Sequence, residues 1–175
     1  SAQSEFLTDA FLVVIGSLFV GAMSQVSVPL QFSPIPITGQ TFAILLLGLT
    51  YGKSLTVYTL ILYLVEGISG WPVFAGGKAG LAVLMGPTGG YLIGFIFGGM
   101  LIAELVARGF GKSPIKVFFA SLTGNIVIYA FGVLGLMRFM DFPTALSLGV
   151  FPFLIGDVVK AILASASVPA AWKAI

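Results

Sequence analysis

The sequence predicts an all-α integral membrane protein with six transmembrane helices and long outward-facing loops rich in glycine and proline. Three observations carry this expectation. Of the 175 residues, 58% are hydrophobic and only 8% charged, against roughly a quarter charged in a soluble domain. Such a chain has too few charges to cover the surface of a soluble protein. The apolar residues are gathered into long stretches rather than spread in short strands. Finally, two opposite charges, Asp157 and Lys160, lie inside the last apolar stretch, FLIGDVVKAILASA. A charge at membrane depth is costly, so it persists with a partner or a task.

A spanning helix needs about 20 mostly apolar residues. The candidate stretches are 6–25, 38–50, 54–68, 89–107, 115–137 and 146–173. The second and third are short for upright spans and are joined tightly at Tyr51, Gly52 and Lys53. They either tilt or stop where protein or a water-filled cavity surrounds their ends. Five spans is the alternative division. Between the first two stretches, Pro29, Pro34 and Pro36 impose an extended, non-helical path. Residues 68–88, within GISGWPVFAGGKAGLAVLMGPTGG, form a long loop with many apolar and aromatic side chains. A loop of that kind is expected to pack back over the bundle and to serve function.

Lys53, Arg108, Lys112, Lys116 and Lys173 fall on one side of a six-span protein, and Lys78 and Arg138 on the other. Basic loops stay in the cytoplasm. The expected location is therefore a cell membrane, crossed several times, with both termini cytoplasmic and the Pro-rich and Gly-rich loops outside. Acidic Glu5 and Asp9 precede the first apolar run, so no cleavable signal peptide is expected. On a sixth helix entering from outside, Asp157 falls two to three turns deep, about 10–16 Å. Lys160 follows three residues later on the same helix face.

Composition also excludes functions. The chain has no Cys and no His, which removes disulfides, zinc and haem sites of the usual kinds and Ser-His-Asp catalysis. A net charge of +2 with scattered basic residues does not suit nucleic acid. TYGKS and GFGKS hold Gly-Lys-Ser, but Leu47 and Val106 stand where a phosphate-binding loop needs its first glycine. No nucleotide site, metal or cofactor is expected, and nothing indicates an enzyme. Glu66 and Glu104 read as solvated or interfacial carboxylates.

The remaining polar residues each have two readings. Asp157 and Lys160 form either a self-satisfying ion pair or the wall of a ligand site or proton path. Asn125 makes an interhelical hydrogen bond or reads a urea, lactam or heterocycle with its donors and acceptor. Thr38 is a candidate N-cap, while Gln40 projects from the same helix start beside Thr41. Trp71, Phe74 and Tyr91 are interfacial aromatics or an apolar wall, with Gly76, Gly77 and Gly80 letting backbone approach a ligand. Ser17 with Gly21, and Gly94 with Gly98, are small residues four apart that bring helices close, within this chain or with another.

Three blocks, VPLQFSPIPITGQTFAILLLGLTYG, LYLVEGISGWPVFAGGKAGLAVLMGPTGGYLIGF and PFLIGDVVKAILA, resemble the BioY family of biotin-uptake proteins. These are the substrate-binding S-components of energy-coupling-factor (ECF) transporters. The resemblance implies a single transmembrane substrate-binding domain over 1–175 that takes biotin with high affinity from outside. It implies a separate transmembrane coupling protein and a pair of ABC ATPases as partners, for ATP-driven uptake. It carries over Asp157 and Lys160 as polar binding residues, Gly76, Gly77 and Lys78 near the ligand with Trp71 and Tyr91, and, by a looser match, Gln40 and Asn125. Ser17 and Gly21 resemble the docking stripe of S-components. Within that resemblance, Asp157 suits the ureido N–H groups, and Asn125 or Lys160 the ureido oxygen. Trp71 and Tyr91 suit the apolar ring, while the depth of Lys160 favours the ring end or Asp157 over the carboxylate. The other readings are an S-component for a different vitamin, a proton-coupled secondary transporter using Asp157, and an intramembrane enzyme.

Overall fold

The structure, a computed structural model, describes residues 2–174, with side-chain surroundings given for 3–168. The Lys173 side chain, counted in the charge balance above, lies outside the described residues. Eight α-helices follow in order among the described residues: α1 Ala2–Gln25, α2 Gln40–Thr50, α3 Lys53–Ile68, α4 Leu81–Met85, α5 Gly89–Ala107, α6 Pro114–Leu136, α7 Phe142–Gly149 and α8 Leu154–Ala174. Among the described residues, four apolar stretches are long enough to cross a membrane, namely Gln3–Gln25, Gly89–Ala107, Pro114–Leu136 and Phe142–Val168.

Helix α2 is short because it is interior. Its 11 residues rise about 16 Å, roughly half of a hydrocarbon core. Gln40, Ala43, Ile44, Leu45, Leu47, Gly48 and Leu49 are all buried, as expected of a helix that is apolar all round. The Tyr51 hydroxyl donates to the Leu12 carbonyl at 3.1 Å, so the α2–α3 turn sits level with the middle of α1.

Helices α5 and α6 form the tightest pair. A Cβ at Gly90 would lie 2.3 Å from the Phe131 carbonyl oxygen, and one at Gly98 would lie 2.8 Å from that of Gly124. Gly94 and Gly98 thus make the close contact expected of small residues four apart, with Gly90 extending the row. We expect Gly90→Ala to destabilise the protein by about 1–3 kcal/mol through overpacking against backbone. Gly156→Ala should be neutral or better, because nothing lies within 4 Å of the added carbon. Thermal unfolding in one detergent checks both.

The Pro-rich segment is non-helical, and it turns back on itself. Ser27–Val28 (β1) pairs antiparallel with Ile37–Thr38 (β2), adding a small hairpin to the all-helical bundle. Thr38 therefore belongs to a strand. Gly39 occupies the N-cap position of α2 without a side-chain bond. The Thr38 hydroxyl still accepts from the Gln40 N–H at 3.3 Å.

The sixth stretch is the main departure from the sequence expectation. It is two helices, with residues 151–153 forming a 3-10 turn between α7 and α8. Pro152 has no N–H for an α-helical bond and its ring crowds the preceding turn. Gly149 ends α7 against a tyrosine, since a Cβ there would lie 2.2 Å from the Tyr91 hydroxyl oxygen. Asp157 consequently falls in the first turn of α8, not two to three turns into a continuous helix. A carboxylate is favoured at that end of the helix dipole.

The charges separate by end of the bundle. Lys53 meets Glu104 at 3.3 Å and Arg108 meets it at 2.9 Å, so the α2–α3 and α5–α6 turns share one end. Arg138 donates to the Met85 carbonyl at 3.2 Å, which places the end of α6 beside the Gly-rich loop at the other. Glu104 is thus ion-paired at an exposed surface. Glu66 is not solvated: one oxygen accepts from Ser17 at 3.0 Å, and the other is buried without a partner among the described residues.

Candidate ligand-binding site

The site is built where three interrupted backbones meet: the start of α2 after the hairpin, the start of α8 after the break, and the Gly-rich loop between α3 and α5. A cleft of about 720 Å³, its open mouth included, lies there. Its apolar walls include Ile35, Phe74, Tyr91, Phe95, Ile128 and Phe153. Its polar residues are Thr38, Gln40, Thr41, Lys78, Thr88, Tyr129, Asp157 and Lys160.

Asp157 and Lys160 are at the centre of one network. The Lys160 ammonium donates to the Thr38 carbonyl at 2.9 Å, to the Thr41 hydroxyl at 2.7 Å and to Asp157 Oδ1 at 3.0 Å. That uses all three of its donors. The Thr41 hydroxyl donates to Asp157 Oδ1 at 3.1 Å, and the Tyr129 hydroxyl donates to Oδ2. A carboxylate has about four acceptor sites, of which Lys160, Thr41 and Tyr129 take three. Asp157 therefore retains room on Oδ2 for one further donor without loss of an existing bond. Lys160 makes a new bond only by exchanging one.

The other sequence candidates divide. Gln40 lines the cleft, but its amide donates to the Tyr63 hydroxyl at 2.7 Å and accepts from Thr38 at 2.9 Å. Tyr91 lines the cleft with its ring, while its hydroxyl is committed to the Gly149 carbonyl at 2.7 Å. Lys78 lines the cleft, and among the described residues its ammonium has no ion pair.

Gly76 and Gly77 do not line the cleft. They have φ of 71° and 69°, a left-handed conformation that suits glycine, and so turn the loop to bring Phe74, Ala75 and Lys78 inward. The Gly77 N–H donates to Gln25 at 2.9 Å. Trp71 lies outside the cleft and is 60% exposed.

Asn125 is only 3% exposed but faces a neighbouring groove rather than this cleft. Ser17 and Gly21 point inward, Ser17 against Glu66 and Gly21 against Val73. Their stripe is covered within the chain.

Sequence reasoning missed Tyr129 and gave Thr41 no role. Tyr129 stands one turn beyond Asn125 on the same face of α6, and that i, i+4 spacing was the available clue. Thr41 follows Gln40 directly, but no spacing in the sequence relates it to residues 157 and 160.

Fold and cleft together define a class: a membrane-embedded helical bundle with a concave site for a small ligand that has polar and apolar parts. A profile of the BioY family matches residues 2–175, and the chain belongs to that family. It is 42% identical over 142 residues to "Probable biotin transporter BioY" of Pyrococcus horikoshii, covering 81% of each chain. It is 38% identical over 150 residues to "Biotin transporter BioY" of Thermotoga maritima, covering 85% of each. It is 34% identical to "Biotin transporter BioY2" of Lactococcus lactis subsp. cremoris, covering 92% of this chain and 88% of that one. A crystal structure of "the S-component for biotin from an ECF-type ABC transporter" superposes with a TM-score of 0.87 over 97% of this chain and 93% of its own, at 24% identity. The chain therefore has the S-component fold.

Proposed function

We propose that this protein is the biotin-binding subunit of an ECF-type transporter, capturing the vitamin in the cleft at the loop end of the bundle. The observation that carries the reading is the polar network of Asp157, Lys160, Thr41 and Tyr129, set in an apolar cleft of a chain that belongs to the BioY family over its whole described length. Biotin pairs a urea with an apolar ring and a carboxylate tail. The free acceptor site on Asp157 takes one ureido N–H, while Lys160 and Thr41 hold the carboxylate of Asp157 in place. Tyr91, Phe74 and Phe95 pack the ring. Lys78, on the loop, takes the tail carboxylate.

The proposed topology has six passes, two of them short, the interior α2 and the half-exposed α3, with both termini in the cytoplasm. The basic turns at Lys53 and Arg108 share one end, the charge pattern of a cytoplasmic face. Energy comes from partner subunits, a transmembrane coupling protein and two ABC ATPases.

Titration of the purified protein with biotin and a panel of other vitamins tests the proposal. Tight, selective binding of biotin is expected, and failure to bind it would sink the reading. The Lys78 role has its own check. Biotin methyl ester should bind the wild type about two- to fivefold more weakly than biotin, the worth of an exposed ion pair. Lys78→Ala should bind the two alike. If Lys78→Ala keeps the full preference for the acid, another group reads the carboxylate.

A further inference from the structure

A second concavity lies on the outer side of the bundle, between α6, α7 and α8. It encloses about 1450 Å³ with its open side. Its walls are aliphatic and aromatic, and its rim residues Ile126, Leu134, Met137, Phe142 and Leu154 are exposed on helices that cross the membrane. It follows α6 from Leu122 to Met137, about 22 Å of helix.

Two observations make it more than an uncovered apolar face. Asn125 lines it at 97% burial, and neither its amide nitrogen nor its amide oxygen has a hydrogen-bond partner among the described residues. A buried amide without partners costs roughly 1–3 kcal/mol. In addition, Tyr129 and Asp157 line both this groove and the cleft, so they form the wall between the two.

We infer that the groove is a lipid-side binding site for an uncharged amphiphile, with an amide-like head on Asn125 and an aliphatic tail along α6. The head must offer both a donor and an acceptor, because Asn125 presents both. It must be uncharged, because the one charged residue that lines the groove, Asp157, is already balanced by Lys160. The tail is aliphatic because the walls are. Both amide atoms are covered by the side chains around them, so a head group reaches them by displacing those side chains.

The test uses the purified protein in detergent and a photoreactive oleamide with a diazirine in its tail, its adducts mapped by mass spectrometry. Adducts are expected within 122–137 and 154–158. They should be competed by plain oleamide and not by oleate. Asn125→Leu should reduce them about tenfold, the worth of one hydrogen-bonded head group. Ala130→Trp, which fills the groove without altering Asn125, should do the same and decides the matter if Asn125→Leu does not fold. Equal labelling of wild type and the folded variants, or adducts elsewhere, overturns the proposal. So does displacement by excess biotin, which would make the groove an arm of the cleft. The adduct map, its competition by oleamide and its loss in the variants do not depend on the protein binding biotin, so the two proposals fail separately.

Discussion

Asp157→Asn is expected to weaken biotin binding by about a hundredfold, the scale of a charge-assisted hydrogen bond in a largely buried setting. It also strips Lys160 of its counter-charge at 3.0 Å. Breaking a buried pair from one side costs about 3–5 kcal/mol, and the partial exposure of Lys160 puts this pair at the lower end. The two effects separate in a cycle. Lys160→Met alone should also destabilise, because it leaves Asp157 charged among Thr41 and Tyr129. The Asp157→Asn/Lys160→Met double variant should regain most of the stability and none of the affinity. Thermal unfolding and calorimetric titration measure the two quantities. A double variant that binds biotin like wild type would reduce the pair to a structural role.

That experiment bears on a question the sequence posed and could not answer. The pair at 157 and 160 was visible as an energetic oddity, and its shared helix face followed from spacing alone. What the pair touches was not visible. Thr41, Thr38 and Tyr129 come from a helix start, a two-residue strand and the middle of α6, and no local pattern connects them. The membrane class, the long helices and the folding back of the Gly-rich loop were legible because hydropathy and turn chemistry are local. The break at Pro152 was also written in the sequence. It was overlooked because an unbroken apolar run from 146 onward outweighed one proline. Trp71 and Asn125 fall outside the cleft for a different reason: residue type suggested a role, but the path of the loop turned Trp71 outward and helix rotation turned Asn125 to the neighbouring groove.

Phe74→Ala is the second substitution with a large expected effect. Phe74 is almost fully buried and packs edge-on against Tyr63, with ring centroids 5.6 Å apart. Its ring sits on Gly67, where a Cβ would come within 2.1 Å of it. Removing a buried phenyl ring costs about 3–5 kcal/mol. Here the loss falls on the anchor of the Gly-rich loop, so the loop should loosen before the bundle unfolds. Limited proteolysis should show faster cleavage within 69–80, and biotin affinity should drop as the cleft loses one wall and the placement of Lys78. Phe74→Leu should recover much of both. Unchanged proteolysis in Phe74→Ala would mean that the hydrogen bonds from Ser24 and Gln25 to residues 72–74 hold the loop alone.

The glycine row between α5 and α6 has a consequence for how the cleft discriminates. Tyr91 and Phe95 stand on one of these helices and Ile128 and Tyr129 on the other. Backbones in contact at Gly90, Gly98 and Gly124 leave no side chains to repack, so this half of the cleft acts as a fixed jaw. Of the other walls, the starts of α2 and α8 are helical, while the Gly-rich loop is clasped by a buried ring and a few hydrogen bonds from the last turn of α1 and is the jaw that can give. A ligand group lodged against α5 and α6 is therefore judged by shape, while one under the loop meets a surface that can adjust. Analogues altered at the first end should be rejected more sharply than analogues altered at the second.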